Sequence, residues 1–348
     1  MHGQCGLFFR TYAGEAQLFP SRFLKISMLL FFAALCLAPW AMNKYLVSIL
    51  CLMNISVIGA VSLNLLTGSC GQISLGHGAF FGVGAYSAAY LANLGLPFLL
   101  VLPGAGAITA LTGMIFGLPS LRLKGIYLAI ATLAAQLILE YVFLHWDAVT
   151  GGSSGMALDA PSIFGFAFDS DLKMFYLTLA VAVLCVLCVR NVMRTRLGRA
   201  FVAIRDYHLS AEIVGVDLFA YKLRAFGLSS FLAGVGGALW GSYTMYITPE
   251  QFGIGLSVSY LAMIIIGGLG SVIGGVFGAI FITILPEFLN FLAQHAGAAF
   301  TDLSGALLAM KEGVFGLVLV LFLIFEPEGL ANRWRLVKSY WKLYPFAH

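Results

Sequence analysis

Residues 45–66 read YLVSILCLMNISVIGAVSLNLL and residues 74–93 read SLGHGAFFGVGAYSAAYLAN, with TGSCGQI between them. Lys, Arg, Asp and Glu are all missing from this stretch. A helix needs about 20 consecutive apolar residues to cross a bilayer, and each of the two runs reaches that length. The connection between them is glycine-rich and polar but uncharged. Such a backbone is tolerated at membrane depth only where it is buried in protein or lines a cavity. The stretch therefore predicts two membrane helices joined through a break, not a strand pair or a soluble amphipathic hairpin.

The same pattern extends outward. Apolar runs and their breakers predict ten spans, at about 24–42, 45–66, 74–93, 97–118, 125–145, 173–190, 225–247, 255–268, 271–290 and 313–326. The first follows basic residues like a signal peptide, but it is too long for an h-region and lacks a small-residue cleavage site, so it reads as a retained span. The eighth and ninth are separated only by Gly267–Ser271 and could instead form one long span with a break. The 348 residues are 61% hydrophobic and 10% charged, with a mean hydropathy of +0.96. Soluble domains carry about 25% charge. A net charge of +4 on so apolar a chain also excludes a disordered or nucleic-acid-binding protein.

Charge tests the count. With the N-terminus in the cytoplasm and spans alternating, 16 of the 19 basic residues fall inside, leaving only Lys44, Lys173 and Lys311 outside. The positive-inside rule thus supports ten spans with both termini inside. The expected organisation is a cytoplasmic segment at 1–23, one membrane domain at 24–326 and a basic cytoplasmic tail at 327–348. Within it fall an extracytoplasmic loop at 146–172 and a cytoplasmic loop at 191–224. The six cysteines lie mostly in apolar runs and suggest no disulfide framework. Residues 82–90 (GVGAYSAAY) loosely echo 234–243 (GVGGALWGSY), which is compatible with an internal repeat without establishing one.

Chemistry-bearing features are sparse. No phosphate-binding loop is present, and Gly267–Gly275 reads as an inter-helix turn with close packing. The histidines form no metal-ligand spacing, and no catalytic triad or carboxylate pair emerges. Three features stand out. One is the uncharged break, where Gln72, Ser74 and His77 could join exposed backbone groups in a solute path; a tight turn beside a small-residue packing face is the plainer reading. The second is intramembrane polarity, with Glu140 and Glu287 as carboxylates and Asn54, Asn64 and Gln136 as weaker candidates. An interfacial carboxylate, an ion pair and attraction of a substrate ammonium all remain open for the two acids. The third is the 194–217 loop, with two short amphipathic helical patterns, the second closed by Gly215 as a C-cap. Basic loops commonly set topology only, but a folded helical one suggests docking to a cytoplasmic partner.

These stretches together resemble one family. The resemblance is carried by Leu63–Gly68, Gly71–Tyr86, Leu118–Leu133, Thr150–Met156, Gly198–Asp206 with Gly215–Asp217, Ile266–Ser271 and Pro327–Leu330. It is similar to the branched-chain amino acid ABC-transporter permeases, LivM-like subunits in particular, across roughly residues 45–330. The resemblance implies an all-α polytopic permease of the type II-importer kind. It implies as partners a second homologous permease (a heterodimer), two ATP-binding subunits, a periplasmic binding protein and membrane lipid, in a bacterial inner membrane. ATP and Mg would belong to the ATPase subunits, with no cofactor, metal or catalytic residue in this chain. Arg199, Arg205, Asp206, Ala211, Glu212 and Gly215 would couple to an ATPase. Asn64, Gln72, Ser74, His77, Gln136 and Glu140 are the expected translocation-path residues. Relatives on this framework carry urea, short amides and aromatic acids, so the substrate stays open. An ion-coupled secondary transporter and a membrane enzyme are the competing classes. The first needs essential intramembrane charges, the second a reactive cluster.

Overall fold

The computed structural model describes residues 22–120, 125–163 and 165–299, and within 313–343 residues 313, 316–317, 319–322, 324–326 and 328–343. The expected N-terminal segment lies almost wholly outside the described residues, as do Arg122, Lys124, Lys311 and part of the tenth span. Twelve α-helices carry labels here: α1 (Arg22–Ala41), α2 (Lys44–Leu63), α3 (His77–Asn93), α4 (Phe98–Ser120), α5 (Ile126–His145), α6 (Asp147–Thr150), α7 (Asp171–Val192), α8 (Arg196–Ile213), α9 (Leu218–Thr244), α10 (Ile254–Gly267), α11 (Val272–Ala299) and α12 (Leu330–Leu343). Seven helical stretches among the described residues are long and apolar enough to cross a membrane, in α2, α4, α5, α7, α9, α10 and α11. Helix α1 and the helical residues of 313–325 fall on two further expected spans. The third expected span is α3, whose 17 residues start at His77 rather than 74.

Helix α9 is the centre of the bundle. It is buried on nearly all sides and packs chiefly on α3 and α4, with α2 beside it. Such approach requires small residues, because without a solvent-driven collapse in lipid the helices associate through close packing. Gly84 of α3 lies on the backbone of Gly234 of α9, and Gly237 lies on the Phe81 carbonyl. The two stretches that echo each other in sequence are thus the two faces of one helix contact. Helix α9 begins at Leu218, seven residues before the expected 225. Lys222 and Arg224 mark a polar end in sequence, but both have good helix propensity and the helix runs through them.

Helices α10 and α11 are separate, as the Gly267–Ser271 turn predicts. Gly267 and Gly274 meet backbone to backbone across it, and Gly268 and Gly270 adopt positive φ. At the opposite end of the bundle, α6 and a 3₁₀ turn (Gly152–Ser154) cap α5, where Thr150 Oγ1 donates to the Phe143 carbonyl at 2.8 Å. Strand β1 (Met156–Ala157) pairs antiparallel with β4 (Tyr246–Ile247), tying this loop to the end of α9. Strands β2 (Ser162–Ile163) and β3 (Phe166–Ala167) form a second short pair. In the same loop, the Lys173 ammonium donates to Asp169 at 2.8 Å and holds that carboxyl below the usual carboxylate range.

Candidate functional site

The break between α2 and α3 is where the sequence places most of its polar candidates. Helix α2 does not simply end but widens into a π-helical turn at Asn64–Ser69, a deviation that recurs at functional sites. Asn64 Nδ2 donates to the Ser271 carbonyl at 2.6 Å, and its Oδ1 accepts from the Gly270 amide at 2.8 Å. One side chain therefore clamps the α10–α11 turn to α2. Gly68 permits this approach, since a Cβ there would meet both Asn64 Oδ1 and the Gly270 amide. Gly71, at φ +72°, then turns the chain into the irregular segment that precedes α3.

Helix α3 begins inside the protein. The first-turn N–H groups of a helix have no partner within it, and burying them unpaired would be costly. Two other helices supply acceptors for two of them and for the Leu75 amide just before the helix. Thr132 Oγ1 takes the Leu75 amide at 2.9 Å, Ser257 Oγ the Gly78 amide at 2.7 Å, and Gln136 Oε1 the Ala79 amide at 2.8 Å. Ser257 Oγ also donates to Gln136 Oε1, at 3.1 Å, and Gln136 Nε2 donates to the Phe252 carbonyl at 2.6 Å. The break does not leave its backbone donors free, as the sequence reading expected, because α5 and α10 occupy them in this conformation. His77 Nε2 lies 2.8 Å from Ser62 Oγ and 3.1 Å from the Gly59 carbonyl, with its ring edge-on to Tyr260. Ser229 Oγ of α9 donates to the Ser62 carbonyl.

Asn64, Gln72, Ser74, His77 and Gln136 are all buried in or beside this seam. Gln72 Oε1 and Ser74 Oγ are buried without a hydrogen-bond partner. Glu140 stands apart, half-buried, one helical turn beyond Gln136 and directed toward Gly253 at the start of α10. Glu287 accepts from the Tyr45 hydroxyl and from Asn290 Nδ2, so it tethers α11 to α2. Thr132 and Ser257 were missed by the sequence reading. The i, i+4 spacing of Thr132 and Gln136 was available as a signal, whereas Ser257 is one hydroxyl in an apolar run.

The α8 loop lies against the same end of the seam. Its backbone departs from helical geometry at Tyr207 (φ −150°, ψ 88°), making two short helices as the pattern predicts. Gly215, at φ +90°, closes the second, with its amide on Glu212 and the Val216 amide on Ala211. Ala200, Phe201, Ile204 and Ala211 pack inward. Arg199, Asp206 and Glu212 are exposed. Arg205 differs from the outward role its charge suggests: Nη1 donates to the Gly68 carbonyl at 2.9 Å while Nε is held by Asp206 at 2.9 Å. Four residues missing from the sequence-based choice also lie on the outer surface, with Tyr207 75%, Leu209 63%, Ile213 86% and Val214 83% exposed.

An exposed, kinked helical loop is thus joined through Arg205 to a broken membrane helix. The sequence model of the family described as "Branched-chain amino acid transport system / permease component" matches residues 45–323. The chain belongs to this family. It is 30% identical over 317 residues to the high-affinity branched-chain amino acid transport system permease protein LivM of Escherichia coli K12, covering 84% of this chain and 71% of that one. A probable LivM of Methanocaldococcus jannaschii is 24% identical over 63% of each chain. The autoinducer 2 import system permease protein LsrC of Escherichia coli O9:H4 is 27% identical, over 73% of this chain and 71% of that one. No solved structure matches the chain.

Proposed function

We propose that this permease is the membrane subunit of an ATP-driven importer of branched-chain amino acids (leucine, isoleucine and valine). The similarity to LivM across 84% of the chain carries this reading. Two ATP-hydrolysing subunits, a second homologous permease and an extracytoplasmic binding protein complete the transporter in a bacterial inner membrane. The α8 end of the bundle faces the cytoplasm, in keeping with the distribution of basic residues. Relatedness to an autoinducer 2 permease supports a second reading, in which the same framework carries a different small polar solute.

In this account Tyr207, Leu209, Ile213 and Val214 seat α8 in an ATPase subunit. Displacement of α8 pulls the Gly68 carbonyl through Arg205. Gly68 lies in the π turn that Asn64 clamps to Gly270, so the α2–α3 break and the α10–α11 turn move as one unit. Such a rigid step loosens the seam where Thr132, Gln136 and Ser257 hold the start of α3. A passing amino acid then finds the positive end of α3 for its carboxylate and the free oxygens of Gln72 and Ser74 for its ammonium. Held weakly by such groups, the solute leaves as readily as it enters.

Uptake of labelled leucine into cells with and without the gene tests the substrate. The expected result is gene-dependent uptake that is lost on ATP depletion and blocked by excess isoleucine, but not by urea or an aromatic acid. Gene-dependent uptake that survives ATP depletion would overturn the ATP-driven reading. No effect on leucine would move the substrate to another solute class.

A further inference from the structure

Glu140 makes no hydrogen bond or ion pair among the described residues. It lies within a segment apolar enough to cross a membrane. The outer end of α5, at His145, is five residues on, about 7.5 Å along the helix axis. A carboxylate at such a depth is costly unless it meets a counter-charge or lines a wet cavity. Its neighbours Ile138 and Tyr141 are exposed on the outside of α5, whereas Glu140 is half-buried and turns toward α10. It is therefore not a side chain reaching outward to the headgroups. Lys173, a cation of the same outer end, is already engaged by Asp169.

The start of α10 brings a second oxygen to the same spot. A Cβ added at Gly253 would lie 3.6 Å from the Glu250 carbonyl oxygen and 3.9 Å from Glu140 Oε1. Apart from the adjoining residues, no other atom of the described chain comes within 4 Å of it. The spot is thus an opening bordered by two acceptors, at a residue with no side chain to fill it. Gly253 is itself only half-buried, so the opening can be entered. Just inside it, Gln136 Nε2 donates to the Phe252 carbonyl and Gln136 Oε1 accepts the Ala79 amide of α3. The opening therefore adjoins the seam at the start of α3.

We propose that Glu140 and the Glu250 carbonyl form an outer site for the ammonium of the incoming amino acid, one helical turn before the seam. The inference rests on the amino-acid reading above and adds the group that selects a cationic head. An ammonium has three donors and no acceptor, so an opening bordered by oxygens suits it. Bonds from an ammonium to a carboxylate are roughly twice as strong as neutral ones, and an anionic head is repelled. From here the ammonium passes inward to Gln72 and Ser74.

The test uses the assembled transporter in proteoliposomes, with its binding protein saturated with leucine. Glu140→Gln keeps the shape of the side chain and removes its charge. Gly253→Ala keeps the charge and places a methyl group in the opening. That methyl sits at ordinary contact distance from both oxygens, and alanine accepts the φ of −68°. Each variant should lower the maximal rate of leucine uptake roughly tenfold, with an unchanged melting temperature. Isoamylamine, which keeps leucine's ammonium and branched tail without the carboxylate, should inhibit the unmodified transporter. Glu140→Gln should raise the concentration needed roughly tenfold. Full leucine uptake by either variant, or equal inhibition of Glu140→Gln by the amine, would overturn the site and leave the amino-acid reading standing. Loss of the second permease from the Glu140→Gln assembly would also overturn the site, making Glu140 half of an ion pair between subunits. An unmodified transporter that imports no leucine would overturn the reading and the site together.

Discussion

Replacing Gly237 with valine is expected to prevent correct assembly of the bundle. A Cβ at this position runs into the Phe81 carbonyl oxygen and comes within 3.0 Å of the Ala85 amide. The obstruction is backbone, so no rotamer change relieves it and α3 and α9 must separate. Overpacking costs about 1–3 kcal/mol where side chains can yield. Here the shift also disturbs the Gly84–Gly234 approach and every α9 contact with α4, so the upper end of that range is a lower bound. On a chain of 348 residues a loss of ~3 kcal/mol corresponds to a fall in melting temperature of roughly 4 °C. Thermal unfolding and the monodisperse fraction in detergent read this directly. Gly255→Ala is the control: nothing lies within 4 Å of its added Cβ, so a near-neutral result is expected. A Gly237→Val protein that melts with the unmodified one would refute the central role of this contact.

The second large effect is expected from Gln136→Leu. Gln136 is fully buried, and its amide serves the Ala79 N–H, the Phe252 carbonyl and the Ser257 hydroxyl. Interhelical side-chain hydrogen bonds in membranes average below ~1 kcal/mol, because the alternative state also finds partners. This case differs, since leucine strands two backbone groups inside the protein, each worth about 1–3 kcal/mol when left unpaired. The sum, ~2–6 kcal/mol, places the variant near the limit of stability. Thr132→Val, which removes the acceptor for the Leu75 amide alone, should cost about half as much. Melting temperatures of the two variants rank the effects. Equal melting of Gln136→Leu and the unmodified protein would remove the seam from the account.

Much of this was legible before any coordinates, and the limits have physical causes. The uncharged run at 45–93 gave two helices and a break because glycine and polar backbone cannot face lipid. The kink and C-cap of the α8 loop followed from short amphipathic patterns and one glycine. The partners of the break were hidden because they are tertiary: Ser257 is 179 residues from the amide it receives. Arg205 reads in the sequence as a residue that couples to an ATPase, and sequence carries no sign that a π turn presents the Gly68 carbonyl to it. Helix α9 starts seven residues before the expected apolar span because Lys222 and Arg224, which bound that span, are good helix formers.

The most direct test of the account is the number of leucines moved per ATP hydrolysed by the assembled transporter in proteoliposomes, with and without Arg205→Ala. The substitution removes the Nη1 bond to the Gly68 carbonyl from a side chain 37% exposed, so folding and ATPase docking should survive. The account predicts that ATP hydrolysis persists while leucine moved per ATP falls at least about tenfold, the loss of roughly 1.4 kcal/mol of coupling. An unchanged ratio would contradict it and leave α8 as a docking surface with no grip on the membrane path.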